Sequence, residues 1–379
     1  MRVLSLSLDP GILNPESVVA RRSVGYGEKL TAYTVLVPAR ETSTAKLSDR
    51  VTVYGLAGTK LQQWWRMYQK ARALLRENSY DVVSSQDTYF LGLLGYILAR
   101  QFHLGFEAQV LGIEKLSLGR KRLALFVLHR ASVVRVLSRV LWKRLVAEFG
   151  LSEEKMRLVP IYVDTSSFGF LPENQTEALT RQLQTEVANW QERYHGRCNI
   201  ISVNRLVPVK NIGLQLAAIK ELKADFPELL LHIIGEGPER PHLERQIEAL
   251  DLKGHVILEG QQGGATLSAF FTQADIFVLT SLSEGWGMAV IEAATASRPI
   301  VMTDVGCAHE VIVDQESGLV IPTNDLDALV DALKKLLGDP ELRKRLSKGA
   351  YQATQALPTF AEVVEQYRAT WEVAAVNRL

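Results

Sequence analysis

Two glutamates eight residues apart, Glu284 and Glu292, enclose the segment Gly285-Trp286-Gly287-Met288 and carry the most specific chemistry in this 379-residue chain. An apolar run of strand type, Asp275 to Leu279, precedes them, and the Ala/Val/Ile-rich stretch from Met288 to Ala296 has the pattern of a helix packed on a sheet. The glycines therefore mark a strand-to-helix turn. Free N–H groups and the positive end of the helix dipole at such a turn attract a phosphate. Ionised glutamate only accepts hydrogen bonds, so the two carboxylates suit sugar and ribose hydroxyls and not the phosphate itself. On one helix they would stand about 12 Å apart along the axis, which fits the two ends of an extended nucleotide sugar. The acid and base of a glycosidase lie roughly 5 to 9.5 Å apart, and this pair does not match them. Taken alone, the pair reads more simply as a solvated Glu284 and a Glu292 capping a surface helix.

The cations that a diphosphate needs occur upstream. Ile200-Ile201-Ser202-Val203 reads as a strand, and Arg205 and Lys210 occupy the loop before a helix expected near Asn211. Arginine offers a fork matched to phosphate oxygens and lysine a point charge, so the pair could hold the ground state and stabilise charge as the bond breaks. By themselves, cations at loop ends read as solvated side chains.

Together these residues resemble family 4 glycosyltransferases of the GT-B fold, of the bacterial cell-surface polysaccharide or glycolipid type. The resemblance is strongest from Ser202 to Pro322. It is carried by Asn204-Arg205-Leu206-Val207-Pro208-Val209-Lys210-Asn211, by Gly235-Glu236-Gly237-Pro238, by Glu284 through Glu292, and by Thr303-Asp304-Val305-Gly306 with Glu310 and Ser317-Gly318-Leu319. The resemblance implies a retaining, metal-independent transfer of a hexose from a UDP- or GDP-linked donor to a glycan or lipid-linked acceptor, with no cofactor. By the same analogy Arg205 and Lys210 bind the diphosphate, Glu284 the donor sugar's hydroxyls and Glu292 the ribose. Arg205, Lys210 and Glu284 become the catalytic candidates. Gly285, Trp286, Gly287 and Met288 line the donor with backbone groups, and Gly235 with Glu259 and Gln261 surrounds the base. Gly11, Asp87 and Leu111 are the acceptor-side candidates.

Two departures accompany the resemblance. Leu111, in Gln109-Val110-Leu111-Gly112, stands where many relatives have a histidine beside the donor sugar, and leucine neither donates nor accepts a hydrogen bond. Asp9-Pro10-Gly11-Ile12 lacks the double glycine common after the first strand. Leu111 keeps a second reading open, a catalytically silent nucleotide-sugar-binding subunit that partners an active transferase. A dinucleotide oxidoreductase is excluded, because Gly235-x-Gly237 is followed by Arg240 where the fingerprint needs its third glycine.

Positioning these groups requires an α/β chain in which strands alternate with helical patterns, the mark of mostly parallel sheets with crossover helices. Strands are expected at Arg2 to Leu8, Ala32 to Pro38, Thr52 to Leu56, Asp81 to Ser84, Glu107 to Leu111 and Val133 to Val136, with Thr42 to Asp49 as a loop. A second set is expected at Asn199 to Val203, Leu229 to Ile234, His255 to Glu259, Asp275 to Leu279, Ile300 to Thr303 and Leu319 to Ile321. The GT-B resemblance arranges them as two Rossmann-like doubly wound domains facing each other across a cleft. Residues 1–160 form the acceptor domain and 161–359 the donor domain. Glu173 to Tyr194 reads as a helix, and the helix Phe360 to Val376 crosses back, adding 360–379 to the first domain.

Length fits two cores, and two widely separated cysteines, Cys198 and Cys307, give neither a disulfide framework nor metal-ligand spacing. A reduced, cytoplasmic setting is expected, since Met1 to Leu8 is too short for a signal's apolar stretch. Net charge is +1 overall but divides sharply. Residues 1–195 hold 26 basic and 18 acidic residues, a net of 26 − 18 = +8, which leaves 43 − 26 = 17 basic and 42 − 18 = 24 acidic residues, a net of −7. Basic residues from Lys115 to Arg144 alternate with Leu, Val, Phe and Trp142, a pattern that suits either an anionic membrane surface or core helices with solvated basic faces. No nucleic-acid-reading motif accompanies the charge. The expected partners are thus the donor, the acceptor and, on the first of those readings, the cytoplasmic face of a membrane.

Overall fold

The structure, a computed structural model, describes residues 1–112, 117–164 and 177–379. Lys115 of the basic run and residues 173–176 of the expected helix lie outside the described residues. The chain divides into two compact units, Met1–Tyr162 with Pro358–Leu379, and Val163–Leu357.

In the first unit the chain alternates strand and helix almost throughout: β1 (Arg2–Leu6), α1 (Val18–Glu28), β2 (Ala32–Pro38), β3 (Ser43–Lys46), β4 (Val51–Leu56), α2 (Lys60–Glu77), β5 (Val82–Ser85), α3 (Phe90–Phe102), β6 (Gly105–Val110), α4 (Leu118–Arg130), β7 (Val133–Val136), α5 (Arg139–Phe149) and β8 (Met156–Leu158). Their spatial order is β3-β4-β2-β1-β5-β6-β7-β8, parallel except for the β3–β4 hairpin. β3 falls in the segment read as a loop. It is an edge strand with mostly exposed residues, so no alternation of apolar and polar residues betrays it. β8, a three-residue strand at the other edge, is not among the expected strands either, and the remaining strands lie within two residues of their expected ends, because buried parallel strands read as continuous apolar runs.

The second unit contains α6 (Glu177–Tyr194), β9 (Cys198–Val203), α7 (Ile212–Leu222), β10 (Leu229–Ile234), α8 (Arg240–Ala249), β11 (Val256–Gly260), α9 (Gly264–Gln273), β12 (Ile276–Leu279), α10 (Met288–Thr295), β13 (Ile300–Thr303), β14 (Leu319–Ile321), α11 (Leu326–Gly338) and α12 (Pro340–Gln355). Its all-parallel sheet runs β11-β10-β9-β12-β13-β14. From β9 the chain winds outward through β10 and β11, then returns to the middle and winds the other way from β12. The loops after β9 and β12 therefore separate to opposite faces and leave a crevice at the carboxyl ends of two adjacent strands, where ligands bind in sheets of this kind.

The last helix, α13 (Phe360–Val376), starts from a reciprocal capping box of Thr359 and Glu362 and packs on the first unit. It is held there by a buried polar cluster. Glu107 of β6 and Arg135 of β7 pair at 2.9 Å, both essentially without solvent exposure. Trp371 Nε1 of α13 donates to Glu107 at 2.7 Å, Ser84 Oγ donates to it at 2.6 Å, and the Arg135 guanidinium lies 3.9 Å over the Tyr367 ring. Removing one charge of a buried pair leaves the other uncompensated. Glu107→Gln should therefore lower stability to urea by about 3 to 5 kcal/mol. An unfolding midpoint equal to that of the unaltered protein would show that the cluster does not secure α13.

Candidate functional site

Arg205 and Lys210 follow β9, and Glu284 follows β12, so the sheet order brings together residues 74 apart in sequence at its crevice. The two loops are sewn to each other. Leu282 N–H donates to the Val209 carbonyl at 2.8 Å, and Thr280 Oγ1 lies 3.2 and 3.1 Å from the carbonyl oxygens of Lys210 and Asn211. Beneath them Gln215 Nε2, on buried α7, donates to Thr280 Oγ1 at 2.9 Å and to Ser202 Oγ at 3.0 Å. Asn211 takes the left-handed conformation, with φ 50°, where the short turn Pro208–Lys210 gives way to α7. This frame presents the Lys210 ammonium to Glu284.

Lys210 Nζ donates to Glu284 Oε1, and the pair is largely buried. Ser281 Oγ donates to the same oxygen at 2.7 Å, while Thr303 Oγ1 fixes the Ser281 carbonyl at 2.7 Å. The glutamate is thus held by one cation and one hydroxyl that converge on Oε1. Arg205, by contrast, is exposed, and among the described residues its side chain has no partner.

Downstream, Gly287 (φ 91°) turns the chain into α10 and leaves the first N–H groups of that helix outside its own ladder. Trp286 contributes backbone only, since its ring is buried and its carbonyl accepts from Cys307 N–H at 2.8 Å. Gly306 allows this approach. A Cβ there would lie 2.5 Å from the Trp286 oxygen, at φ 58°. Met288 is exposed at the start of α10.

Glu292, one turn into α10, is half-buried, and among the described residues none hydrogen-bonds its carboxylate. Burial alone raises its pKa to about 7. A half-buried acceptor without a protein partner is free to take hydroxyl donors.

Elsewhere the expected residues have other duties. Glu259 spends its carboxylate inside the unit, accepting from Tyr194 Oη at 3.0 Å and pairing with His232 Nδ1 at 2.8 Å. Burial pushes its pKa up, but the His232 and Tyr194 bonds outweigh this and hold it below the usual range. Only backbone from this segment meets Gly235, whose N–H donates to the Gly260 carbonyl at 2.7 Å, and Gln261 is exposed beside it. Gly11 and Asp87 follow β1 and β5, the adjacent strands at which the first sheet reverses its order. Asp87 Oδ1 accepts from the N–H groups of Tyr89, Leu91 and Gly92 at 2.7 to 3.1 Å; burial raises its pKa against these bonds. Leu111 lies just past β6 and is 40% exposed. Sequence reasoning missed Thr280, Ser281 and Gln215. The first two directly follow an apolar strand, the position from which a hydroxyl can brace a site at the sheet's edge.

Residues 185–353 match the family described as glycosyl transferases group 1. A GDP-mannose-dependent alpha-(1-6)-phosphatidylinositol monomannoside mannosyltransferase of Mycolicibacterium smegmatis is 30% identical over 219 residues, which cover 55% of this chain and 54% of that protein. The chain spans roughly half the length of the curated relatives it matches. Sucrose-phosphate synthase from Thermosynechococcus elongatus aligns over 98% of both chains with a TM-score of 0.80 at 18% identity. Anabaena HepE in complex with UDP-glucose aligns over 98% of this chain and 99% of its own, with a TM-score of 0.77 at 15% identity. The fold is that of the GT-B proteins. The stretch that matches the glycosyl transferases of group 1 lies within its second unit.

The Glu292 pKa has a consequence for stability. A carboxylate whose folded pKa is raised contributes stability below its unfolded pKa, near 4.5, that is lost as pH rises through about 7. Relative to Glu292→Gln, the unaltered protein should therefore lose on the order of 3 kcal/mol between pH 4 and pH 8. Urea titrations at both pH values check this, and parallel pH dependence of the two proteins would mean that Glu292 is solvated.

Proposed function

We propose that this protein is a retaining, family 4 glycosyltransferase that moves a hexose from a UDP- or GDP-linked donor to a glycan or lipid-linked acceptor without a metal. The observation that carries the proposal is the juxtaposition, at the reversal of the second sheet, of an unpartnered arginine, a lysine held by a carboxylate, and a second carboxylate with no partner. Each group has a complementary part of a nucleotide sugar. Arg205 and Lys210 take the diphosphate, and the first N–H groups of α10 face the same oxygens. Glu284 and Glu292 accept from sugar and ribose hydroxyls. Gly235, Gln261 and the backbone of Glu259 border the base, while Gly11, Asp87 and Leu111 serve the acceptor side.

Glu284 occupies Lys210 much as a phosphate oxygen would. Arrival of the diphosphate draws the ammonium away and frees Oε1 for a donor-sugar hydroxyl, so donor binding itself assembles the site. As the glycosidic bond breaks, negative charge grows on the departing diphosphate. Lys210 and Arg205 stabilise that charge and take the role a divalent cation fills in other transferases. In the retaining, front-face course implied by the family, the same diphosphate removes the acceptor's proton. The relatives' donors, GDP-mannose and UDP-glucose, support a nucleotide sugar without choosing between bases.

Leu111 favours a second reading, a nucleotide-sugar-binding subunit without turnover, because leucine offers the reacting centre no hydrogen bond. The two readings share donor binding and part at transfer. Melting curves with UDP, GDP, ADP and their hexose conjugates, with and without chelator, should give a chelator-insensitive rise for one nucleotide. No rise with any nucleotide would remove both readings; a rise without transfer to any acceptor leaves the silent subunit. Lys210→Ala should lower turnover more than donor affinity, because the charge is needed most as the diphosphate leaves. Equal losses in both would reduce Lys210 to an anchor for the bound donor.

The basic residues between 115 and 144 support peripheral attachment to the cytoplasmic face of a membrane. No helix among the described residues is long and apolar enough to cross one.

A further inference from the structure

Exposed apolar side chains in the first unit gather at one edge. In a parallel layer each helix begins beyond the carboxyl end of the preceding strand, so α2, α3 and α4 start along the edge defined by the ends of β4, β5 and β6. Leu61 in the first turn of α2 is 85% exposed, Phe90 at the start of α3 58%, and Leu118 at the start of α4 80%. Trp65 lies one turn beyond Leu61 on the same face of α2 and is 55% exposed. Trp64 Nε1 donates to the Phe90 carbonyl at 3.0 Å, which fixes the start of α2 against the start of α3. Leu8 and Leu111, just past β1 and β6, extend the same apolar edge.

Charge at this edge opposes the helices' own electrostatics. Helix N-termini favour anions. The first turns of α2, α3, α4 and α5 nevertheless contain no acidic residue. Asp87, which precedes α3, is spent on three N–H groups of that helix start. Lys60 instead opens α2, and Arg120 and Arg122 lie in the first turns of α4; all three are exposed, and among the described residues none has an acidic partner. The positive dipole ends of α2, α4 and α5, three unpaired cations and a row of apolar side chains fit a surface that is anionic outside and hydrocarbon within.

We propose that this edge docks on a bilayer rich in acidic lipid, with Leu61, Trp65, Phe90 and Leu118 entering the interface while Lys60, Arg120 and Arg122 meet the headgroups. Docking moves the membrane contact from the basic run as a whole to one defined edge. It also narrows the acceptor, and here it rests on the transferase reading, to a lipid that presents its sugar or phosphate at the membrane surface. The edge lies where doubly wound sheets bind their ligands.

Co-sedimentation of the full chain with phosphatidylglycerol and with phosphatidylcholine vesicles tests the inference. Binding is expected to the first and not the second, and to weaken as salt is raised from about 0.1 M to about 1 M. Leu61→Ser with Phe90→Ser should reduce partition by at least about tenfold, and Arg120→Ser with Arg122→Ser should remove most of the salt dependence. Equal binding by either double variant would overturn the proposal, as would a soluble unaltered protein. Oligomers that dissociate in the Leu61/Phe90 variant without any vesicle effect would overturn it in favour of a second copy of the chain. Should that variant fail to fold, brominated lipid offers an independent readout. It should quench fluorescence in the unaltered chain more than in Trp65→Phe, and equal quenching refutes docking. A unaltered chain that binds vesicles but shows no nucleotide-dependent melting shift would sink the transferase reading alone.

Discussion

The reversal of strand order between β9 and β12 is the constraint on which the site depends. Two loops that are far apart in the chain become neighbours because the strands before them are hydrogen-bonded in the middle of one sheet. Nothing local to either loop would place Lys210 against Glu284. The bonds from Thr280 and Leu282 to the opposite loop then convert adjacency into a fixed distance, and Gln215 ties that junction to α7 in the core. The site is thus preorganised by the fold's topology first and by a small set of buried hydroxyls second.

Stability and function are divided between the two units in opposite ways. In the first, the buried charges are paired: Glu107 holds Arg135, Ser84 and Trp371 together, and only Arg135 Nη1 of this cluster has no hydrogen-bond partner among the described residues. In the second, Glu292 is half-buried with no hydrogen-bond partner among the described residues, and burial raises its pKa to about 7. The cations at the helix starts of the first unit are likewise without an acidic partner among the described residues. Natural chains keep such conflicts where a ligand or partner resolves them, which is why the unsatisfied groups identify function more sharply than the satisfied ones do.

Much of the fold was legible in the sequence because buried parallel strands are written as apolar runs with little ambiguity. Val133–Val136, Leu229–Ile234, Ile300–Thr303 and Leu319–Ile321 have the ends their composition implies. The β3 edge strand was illegible, since an exposed edge carries no burial pattern. At the site, Glu284, Glu292, Arg205 and Lys210 stood out by type and spacing. Their braces did not: Thr280 and Gln215 are ordinary residues whose importance comes from contacts across 65 to 70 positions of sequence, and Ser281 is an ordinary hydroxyl fixed by Thr303 of the next strand. Glu259 shows the converse. Its type and position suggested ligand contact, but the competing partners His232 and Tyr194 lie on β10 and α6, and no local pattern announces them.

The Lys210–Glu284 pair explains how a site can be ordered before its ligand arrives without being closed to it. A lysine and a carboxylate in partial burial would each be poorly satisfied alone, and together they neutralise one another. On the proposed donor reading the pair is replaceable, because a nucleotide sugar offers both members better partners: two negative charges on the diphosphate for the ammonium, hydroxyl donors for the carboxylate. Ser281 keeps Glu284 in place during the exchange, since its hydroxyl donates to the same Oε1. A ligand with only one of the two halves, a bare diphosphate or a free sugar, would break the pair and satisfy one member at the other's expense. On that proposed reading, discrimination in favour of the intact donor follows from the imbalance, with no contact to the base required.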